Sequence, residues 1–322
     1  MAKRAAGIII NGATGRIGST QHIASALAPI RAEGGLPVGN DQIVPKLLFV
    51  GRDATKLERL AHKFEAAWST DLDAALAEPA YDILCDTAAS YARPTVLGKA
   101  IAAGKHVYAE KPVASSVAEG LALLRAAQAR GVKAGAVEDK LFLPGLQNLA
   151  KLLQSGYLGR IIGFRLDFGW WVFDGTEIPC QRPSWNYQKA GGGGLVFDMY
   201  PHWRYVLEGL LGPIARVVAV INTGIPERID EKGQRYRVDV EDSAHALVML
   251  ESGAIGVIWS SWASRVHRDD LLTVQIDGTK GSALTTLHRC VTQLGAQAPR
   301  TQHFNCRRRW QHRLPHALGG ST

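Results

Sequence analysis

Gly7-Ile8-Ile9-Ile10-Asn11-Gly12-Ala13-Thr14-Gly15-Arg16-Ile17-Gly18 is the stretch that decides the fold. Its branched apolar run reads as a buried parallel strand, and Ser19-Thr20-Gln21-His22-Ile23 behind the glycines opens a helix. The Gly-x-x-Gly-x-x-Gly spacing between them fits a phosphate cradle. Gly12 permits a tight turn, Gly15 lets backbone approach a pyrophosphate, and Gly18 lets the helix pack closely, so N–H groups at the helix start face an anion. Glycine-rich turns after strands also occur without a ligand. The position, inside the first dozen residues and so in a first βα unit, strengthens the reading.

Working outward, a second strand over 47–50 ends in Gly51-Arg52-Asp53, and residues 54–60 have helical spacing. A dinucleotide fold reads the adenosine ribose here, with a carboxylate for NAD or an arginine for a 2′-phosphate. Arg52 and, one turn on, Lys56 favour NADP. Asp53 keeps NAD open, although it would equally cap the helix that follows. The crossover 31–45, rich in glycine and proline, reads as an insertion loop. Strands over 81–86, 105–109 and 132–137 then alternate with helices over 95–103 and 117–130, the pattern of a parallel sheet wrapped on both faces. From residue 160 the pattern changes. Strands over 161–167, 217–221, 243–251, 253–260 and 271–276, joined by turns such as Glu251-Ser252-Gly253, predict a largely antiparallel sheet. The expected organisation is α/β: a doubly wound Rossmann domain over 1–138, an α+β domain over 139–291, and an atypical basic tail over 292–322.

Composition narrows the function classes. The chain has 322 residues, 46% hydrophobic and 20% charged, as in a globular protein with room for two cores. No apolar run reaches membrane-span length and no secretory segment precedes the first strand, so a cytoplasmic protein is expected. Cys85, Cys180, Cys290 and Cys306 show neither disulfide nor metal-ligand spacing, and no metal is expected. The net charge of +8 would suit nucleic acid, but it is not spread over the chain. No acidic residue follows Asp277, whereas Lys280, Arg289, Arg300, Arg307, Arg308, Arg309 and Arg313 do, so the body is close to neutral. The tail has no hydrophobic period and few aromatics to stack bases; it reads as the product of a shifted frame rather than as a nucleic-acid arm.

Two further segments carry chemistry. Ala109-Glu110-Lys111-Pro112 presents a lysine at a strand end, and Gly192-Gly193-Gly194-Leu195-Val196-Phe197-Asp198-Met199-Tyr200-Pro201-His202 places Asp198 and His202 four apart on one helix face. Brought together, they make a site able to move the proton of an alcohol while a cofactor takes the hydride. Each residue alone has a plainer reading: a Lys-Pro turn, a helix cap, a packed histidine. The aromatics Trp170, Trp171, Trp185, Tyr187, Trp203 and Tyr205, with Asn186, Arg182 and Arg204, would suit sugar rings or an acidic sugar, unless half of them fill the core.

The glycine turn, Glu110-Lys111-Pro112, the glycine run ending in Asp198 and His202, Tyr157-Leu158-Gly159-Arg160-Ile161-Ile162 and Val240-Glu241-Asp242-Ser243 together resemble the Gfo/Idh/MocA family, from about residue 6 to residue 288. The resemblance implies NAD(P)-dependent hydride transfer at a hydroxyl or keto group of a sugar or cyclitol, and a homo-oligomer, dimer or tetramer, formed through the second sheet. It implies Lys111, Asp198 and His202 as catalytic residues. Cofactor binding would fall to Gly12, Ala13, Thr14, Gly15, Arg16, Ile17, Gly18, Arg52, Asp53, Thr87, Ala88, Glu110 and Lys111. Trp185 and Tyr187 would join the catalytic three around the substrate. Two rivals remain: a non-catalytic NADP sensor, and lyase or hydrolase chemistry through transient oxidation. The likeness fails near Thr292.

Overall fold

The structure is a computed structural model describing residues 2–265, 270–297 and 302–304. The chain groups into two compact units, the first running to Glu138 and including Trp185–His202, the second holding Asp139–Ser184 and the chain from Trp203 onward. The segment from Trp185 to His202, expected in the second domain, thus belongs with the first.

The first unit is built on a parallel sheet. Strand β1 (Ala2–Asn11) runs through the glycine turn into a π-wound helix, Ile17–Leu27, continued by α1 (Ala28–Ala32). Next come β2 (Leu36–Val38), β3 (Asp41–Val50), α2 (Ala54–Phe64), β4 (Ala67–Ser69), α3 (Leu72–Ala77) and β5 (Ile83–Asp86). Then α4 (Arg93–Ala102), β6 (His106–Ala109), α5 (Val117–Arg130) and β7 (Ala134–Ala136) complete it. The strand order is β2-β3-β1-β5-β6-β7, with β4 on β3, and all pairs are parallel except β2 with β3. Ile9, Leu48, Val50, Leu84, Leu97, Ile101 and Val107 form the core on one face, and Ile10, Ile23, Phe49 and Leu57 the core on the other. That two-sided burial is why these strands are apolar without alternation.

The insertion loop expected over 31–45 is a correction. Leu36–Val38 and Asp41–Ile43 form an antiparallel hairpin, and β3 pairs with β1 along ten residues, Ala2↔Asp41 to Asn11↔Val50. Pro45 is tolerated because, on the side away from β1, β2 covers only residues 41–43 and β4 only 48–50. Glycine and proline composition misled here because pairing with β1 overrides local propensity.

The second unit holds α6 (Pro144–Gln154), β8 (Ile161–Phe168), the C-terminal part of α7 (Leu195–Leu211), β9 (Ile214–Asn222), the small hairpin β10 (Glu227–Ile229) with β11 (Arg235–Arg237), and β12 (Ser243–Leu250). It continues with β13 (Ile255–Ser261), β14 (Leu272–Gly278), β15 (Gly281–Thr285), β16 (Cys290–Leu294) and β17 (Gln302–Phe304). The sheet order is β17-β16-β15-β14-β8-β13-β12-β9, antiparallel except β13 with β8. Thr292, where the atypical tail was expected to begin, lies inside β16 opposite Ala283. The remainder of that expected tail, residues 298–301 and 305–322 with Cys306, lies outside the described residues. No helix among the described residues is long and apolar enough to cross a membrane.

Candidate active site

The residues expected to hold a dinucleotide are gathered at the carboxyl ends of β1, β3, β5 and β6. Gly12 has φ +76°, and both Gly12 and Ala13 donate backbone N–H to Val50 O, at 2.9 and 3.2 Å. A Cβ on Gly12 would lie 2.7 Å from Ala88 N; one on Gly18 would lie 2.6 Å from Thr87 Oγ1 and 2.7 Å from Gly12 O. The turn and the Thr87–Ala88 segment are therefore packed backbone to backbone, with no room for a side chain between them. No side chain caps the helix at Arg16; Ser19 N donates to Gly15 O within the turn at 2.8 Å, and the N–H groups of Ile17 and Gly18, at the very start of the helix, have no residue further back in it to donate to. Such a start is the polar lining that a pyrophosphate needs, and the cradle fits the dinucleotide.

At the end of β3, Asp53 takes the plainer of its two roles. It caps α2, accepting from Lys56 N at 3.0 Å, and pairs with Lys56 Nζ at 3.2 Å. The backbone bond from Lys56 holds its carboxyl below the ordinary aspartate value. Arg52 is exposed.

The chemistry-bearing residues meet within the first unit. Lys111 Nζ donates to Asp198 Oδ1 at 2.5 Å and to Asp198 O at 2.7 Å, and each side chain is only 17% and 20% exposed respectively. Two of the three ammonium N–H groups are thereby spent on Asp198, leaving one for a substrate oxygen. Asp198 sits in the first turn of α7, its N–H bonded to Gly194 O at 3.0 Å. His202 lies one turn further on the same face, and its Nδ1 is 2.5 Å from Glu138 Oε2. Glu110 Oε1 is held 2.8 Å from His22 Nε2, which stands on the helix behind the glycine turn.

Under this site runs a buried network. Asp86, fully enclosed, accepts from Asn11 Nδ2 at 2.7 Å and Arg93 Nε at 2.9 Å. Arg93 also donates to Pro112 O and Ala88 O, each at 2.6 Å. Asn11, Asp86, Arg93, Glu138 and His22 were not among the expected site residues. A signal for three of them was present: an amide or acid at the carboxyl end of successive strands, Asn11 closing β1, Asp86 closing β5 and Glu138 just beyond β7, where open α/β sheets bind ligands. His22 finds its partner 88 residues away, and Arg93 reaches partners 5, 7 and 19 residues away, all outside its own helix, so neither leaves a local pattern.

The expected substrate aromatics divide. Trp185 is half exposed and lines a cavity of about 550 Å³ with Tyr91, Pro112, Ser115, Lys189 and Phe197. Tyr187 is fully enclosed, so it offers a ligand no surface and supports the loop from beneath. Trp203 is also core: its ring lies 5.0 Å from Phe168 and its Nε1 donates to Ser260 Oγ. Arg182 stands over the Phe173 and Trp262 rings, and Arg204 pairs with Glu208 at 2.6 Å on the surface.

Comparison with known proteins identifies the family. Residues 7–137 match the oxidoreductase family with NAD-binding Rossmann fold (GFO_IDH_MocA), and residues 146–284 match the GFO/IDH/MocA C-terminal domain. A D-xylose dehydrogenase from Paenarthrobacter nicotinovorans is 44% identical over 301 residues, covering 91% of this chain and 77% of that protein. The chain belongs to the Gfo/Idh/MocA oxidoreductase family. Among solved structures, an NAD-binding oxidoreductase from Klebsiella pneumoniae superposes with a TM-score of 0.79 at 26% identity, covering 93% of this chain and 79% of that one. A levoglucosan dehydrogenase crystallised with NADH and levoglucosan gives a TM-score of 0.77 at 23% identity, covering 93% and 79%. The protein is an oxidoreductase with a nicotinamide-dinucleotide-binding domain.

Because Gly18 has no space for a Cβ, Gly18→Ala is expected to abolish dinucleotide binding, measured by NADPH and NADH fluorescence titration, while the circular dichroism of the fold persists.

Proposed function

We propose that this protein oxidises a hydroxyl of a sugar, or reduces the corresponding ketone or lactone, using NADP(H) in preference to NAD(H), with Lys111, Asp198 and His202 as its catalytic residues. The observation that carries the reading is the Lys111–Asp198 pair, an ammonium with one N–H to spare, on the helix face that also bears His202. The kinship with a D-xylose dehydrogenase points to an aldose as substrate.

Held against the glycine turn, Thr87–Ala88 and Glu110, the dinucleotide would supply the hydride acceptor. Lys111 donates its remaining N–H to the reacting oxygen, stabilising negative charge as the O–H bond breaks. Asp198 fixes the ammonium and supplies its countercharge, so Lys111 is held in place before the substrate arrives. His202 takes the hydroxyl proton in oxidation and returns it in reduction. Trp185, beside the cavity, gives a flat face for a sugar ring.

The preference for NADP(H) rests on the end of β3. The carboxylate that would accept from ribose hydroxyls is engaged with the α2 N-terminus and Lys56, while Arg52 is exposed to meet a 2′-phosphate. The working assembly is a homo-oligomer formed through the second sheet. Val218 and Val220 are each 69% exposed, and the registers place them beside Leu247, Val257 and Trp259 on three adjacent strands. An exposed apolar face of that extent suits a second copy of itself. The three described cysteines are unpaired, in keeping with work in the cytoplasm.

Two outcomes test this reading. NADPH is expected to bind more tightly than NADH, and Arg52→Ala to remove the difference. In an absorbance screen of aldoses and polyols, Lys111→Ala should lower kcat by at least about 100-fold while NADPH affinity is kept; wild-type protein that binds NADPH and turns over no sugar contradicts the reading. For the assembly, Val257→Lys is expected to yield monomers by light scattering.

A further inference from the structure

We infer that Glu138 is the positioning residue for His202, holding the imidazole with its proton on Nδ1, so that Nε2 is the nitrogen that accepts a proton. The inference rests on the oxidoreductase reading above and deepens it, because it divides the site into a donor pair, Lys111–Asp198, and an acceptor pair, Glu138–His202.

The geometry is specific. Glu138 Oε2 lies 2.5 Å from His202 Nδ1, and each side chain is only 10% exposed. An ionised carboxylate has only acceptor sites, so the hydrogen in this contact belongs to Nδ1. A neutral imidazole carries one N–H, and placing it on Nδ1 makes Nε2 the acceptor. The contact is short and shielded, where a charge-assisted bond is strongest. Backbone fixes both ends of the pair. Glu138 follows β7, where Val137 N donates to Ala109 O at 2.7 Å, and His202 is one turn from Asp198 on α7. The same two strands, β6 and β7, therefore deliver the acid of the acceptor pair and the lysine of the donor pair.

In the oxidation direction the substrate O–H bond breaks and its proton passes to Nε2. The carbinol C–H bond would break, its hydride leaving with the electron pair for the oxidised nicotinamide that the glycine turn would hold, and the C=O bond would form. The imidazolium produced lies against the Glu138 carboxylate, which supplies the countercharge without reorganising. One proton and one hydride leave the alcohol, and both are accounted for.

The two halves of the claim have separate readouts. Nitrogen-15 NMR of histidine-labelled protein, without cofactor or substrate, with His202→Gln identifying the signal, is expected to show His202 protonated on Nδ1. Glu138→Gln, whose amide can donate as well as accept, is expected to populate the Nε2–H form and to lower kcat on the order of 100-fold, with NADPH affinity unchanged. Glu138→Asp, which keeps the carboxylate, should restore part of kcat; a purely structural role would not follow charge in this way. His202 protonated on Nε2 in the wild type overturns the inference, and so does a Glu138→Gln variant with wild-type tautomer and kcat. If no sugar is turned over at all, the NMR result still decides the tautomer, so failure of the functional reading and failure of this one are distinguishable.

Discussion

A single enclosed carboxylate, Asp86 at the end of β5, holds the working end of the first unit together. Buried ionised groups need charge partners and filled hydrogen bonds. Asp86 has both, from Asn11 at the end of β1 and from Arg93. The planar guanidinium has donors left over, and it spends them on Ala88 O, beside the glycine turn, and on Pro112 O, next to Lys111. One cation therefore fixes the spacing between the segment packed on the glycine turn and Lys111. Removing either member of such a pair generally costs about 3–5 kcal/mol, so the positioning of Lys111 and the stability of the sheet end are the same interaction.

The second unit uses a matching device for a different purpose. Arg228 and Asp242, both fully buried, are paired at 2.9 Å. Asp242 accepts the N–H groups of Gly224 and Ile225, and Arg228 donates to Asp174 O and Ile225 O. This cross-brace ties the β9–β10 connection and the loop at Asp174 to the start of β12. The contrast separates the roles of the units: ion pairs in the first end on the glycine turn and Lys111, whereas the buried pair of the second shapes loops beside an open sheet.

Legibility from sequence followed the range of the interactions. The β1–glycine–helix unit was readable because strand, turn and helix signals are contiguous. Lys111, Asp198 and His202 were readable as a spaced set, and the structure brings Lys111 onto Asp198. Arg93 was not, since an arginine in an ordinary helix gives no sign that it joins two loop carbonyls and an acid; Asn11 and Asp86 carried only the general signal of a polar residue at a strand end. Glu138 carried the same signal, an acid just past a strand end, but nothing in the sequence joins it to His202, 64 residues on. Over 31–45 the sequence misled in the other direction, because glycine and proline suggested a loop where pairing to β1 makes a strand from Asp41 and a short hairpin precedes it. Tyr187, chosen as a sugar-facing aromatic, is enclosed because aromatic type alone does not distinguish a stacking platform from a loop support.

The central claim is that hydride passes directly between a sugar carbon and the nicotinamide at the Lys111–Asp198–His202 site. Its most direct measurement is isotope transfer: the protein is given NADP⁺ and aldoses carrying deuterium on every carbon, and the reduced cofactor is analysed by mass spectrometry and proton NMR. The account predicts one deuteron on the nicotinamide ring of the product, and its loss when Lys111→Ala replaces the wild type. Reduced cofactor without deuterium, or labelled cofactor formed equally well by the Lys111→Ala protein, would contradict it.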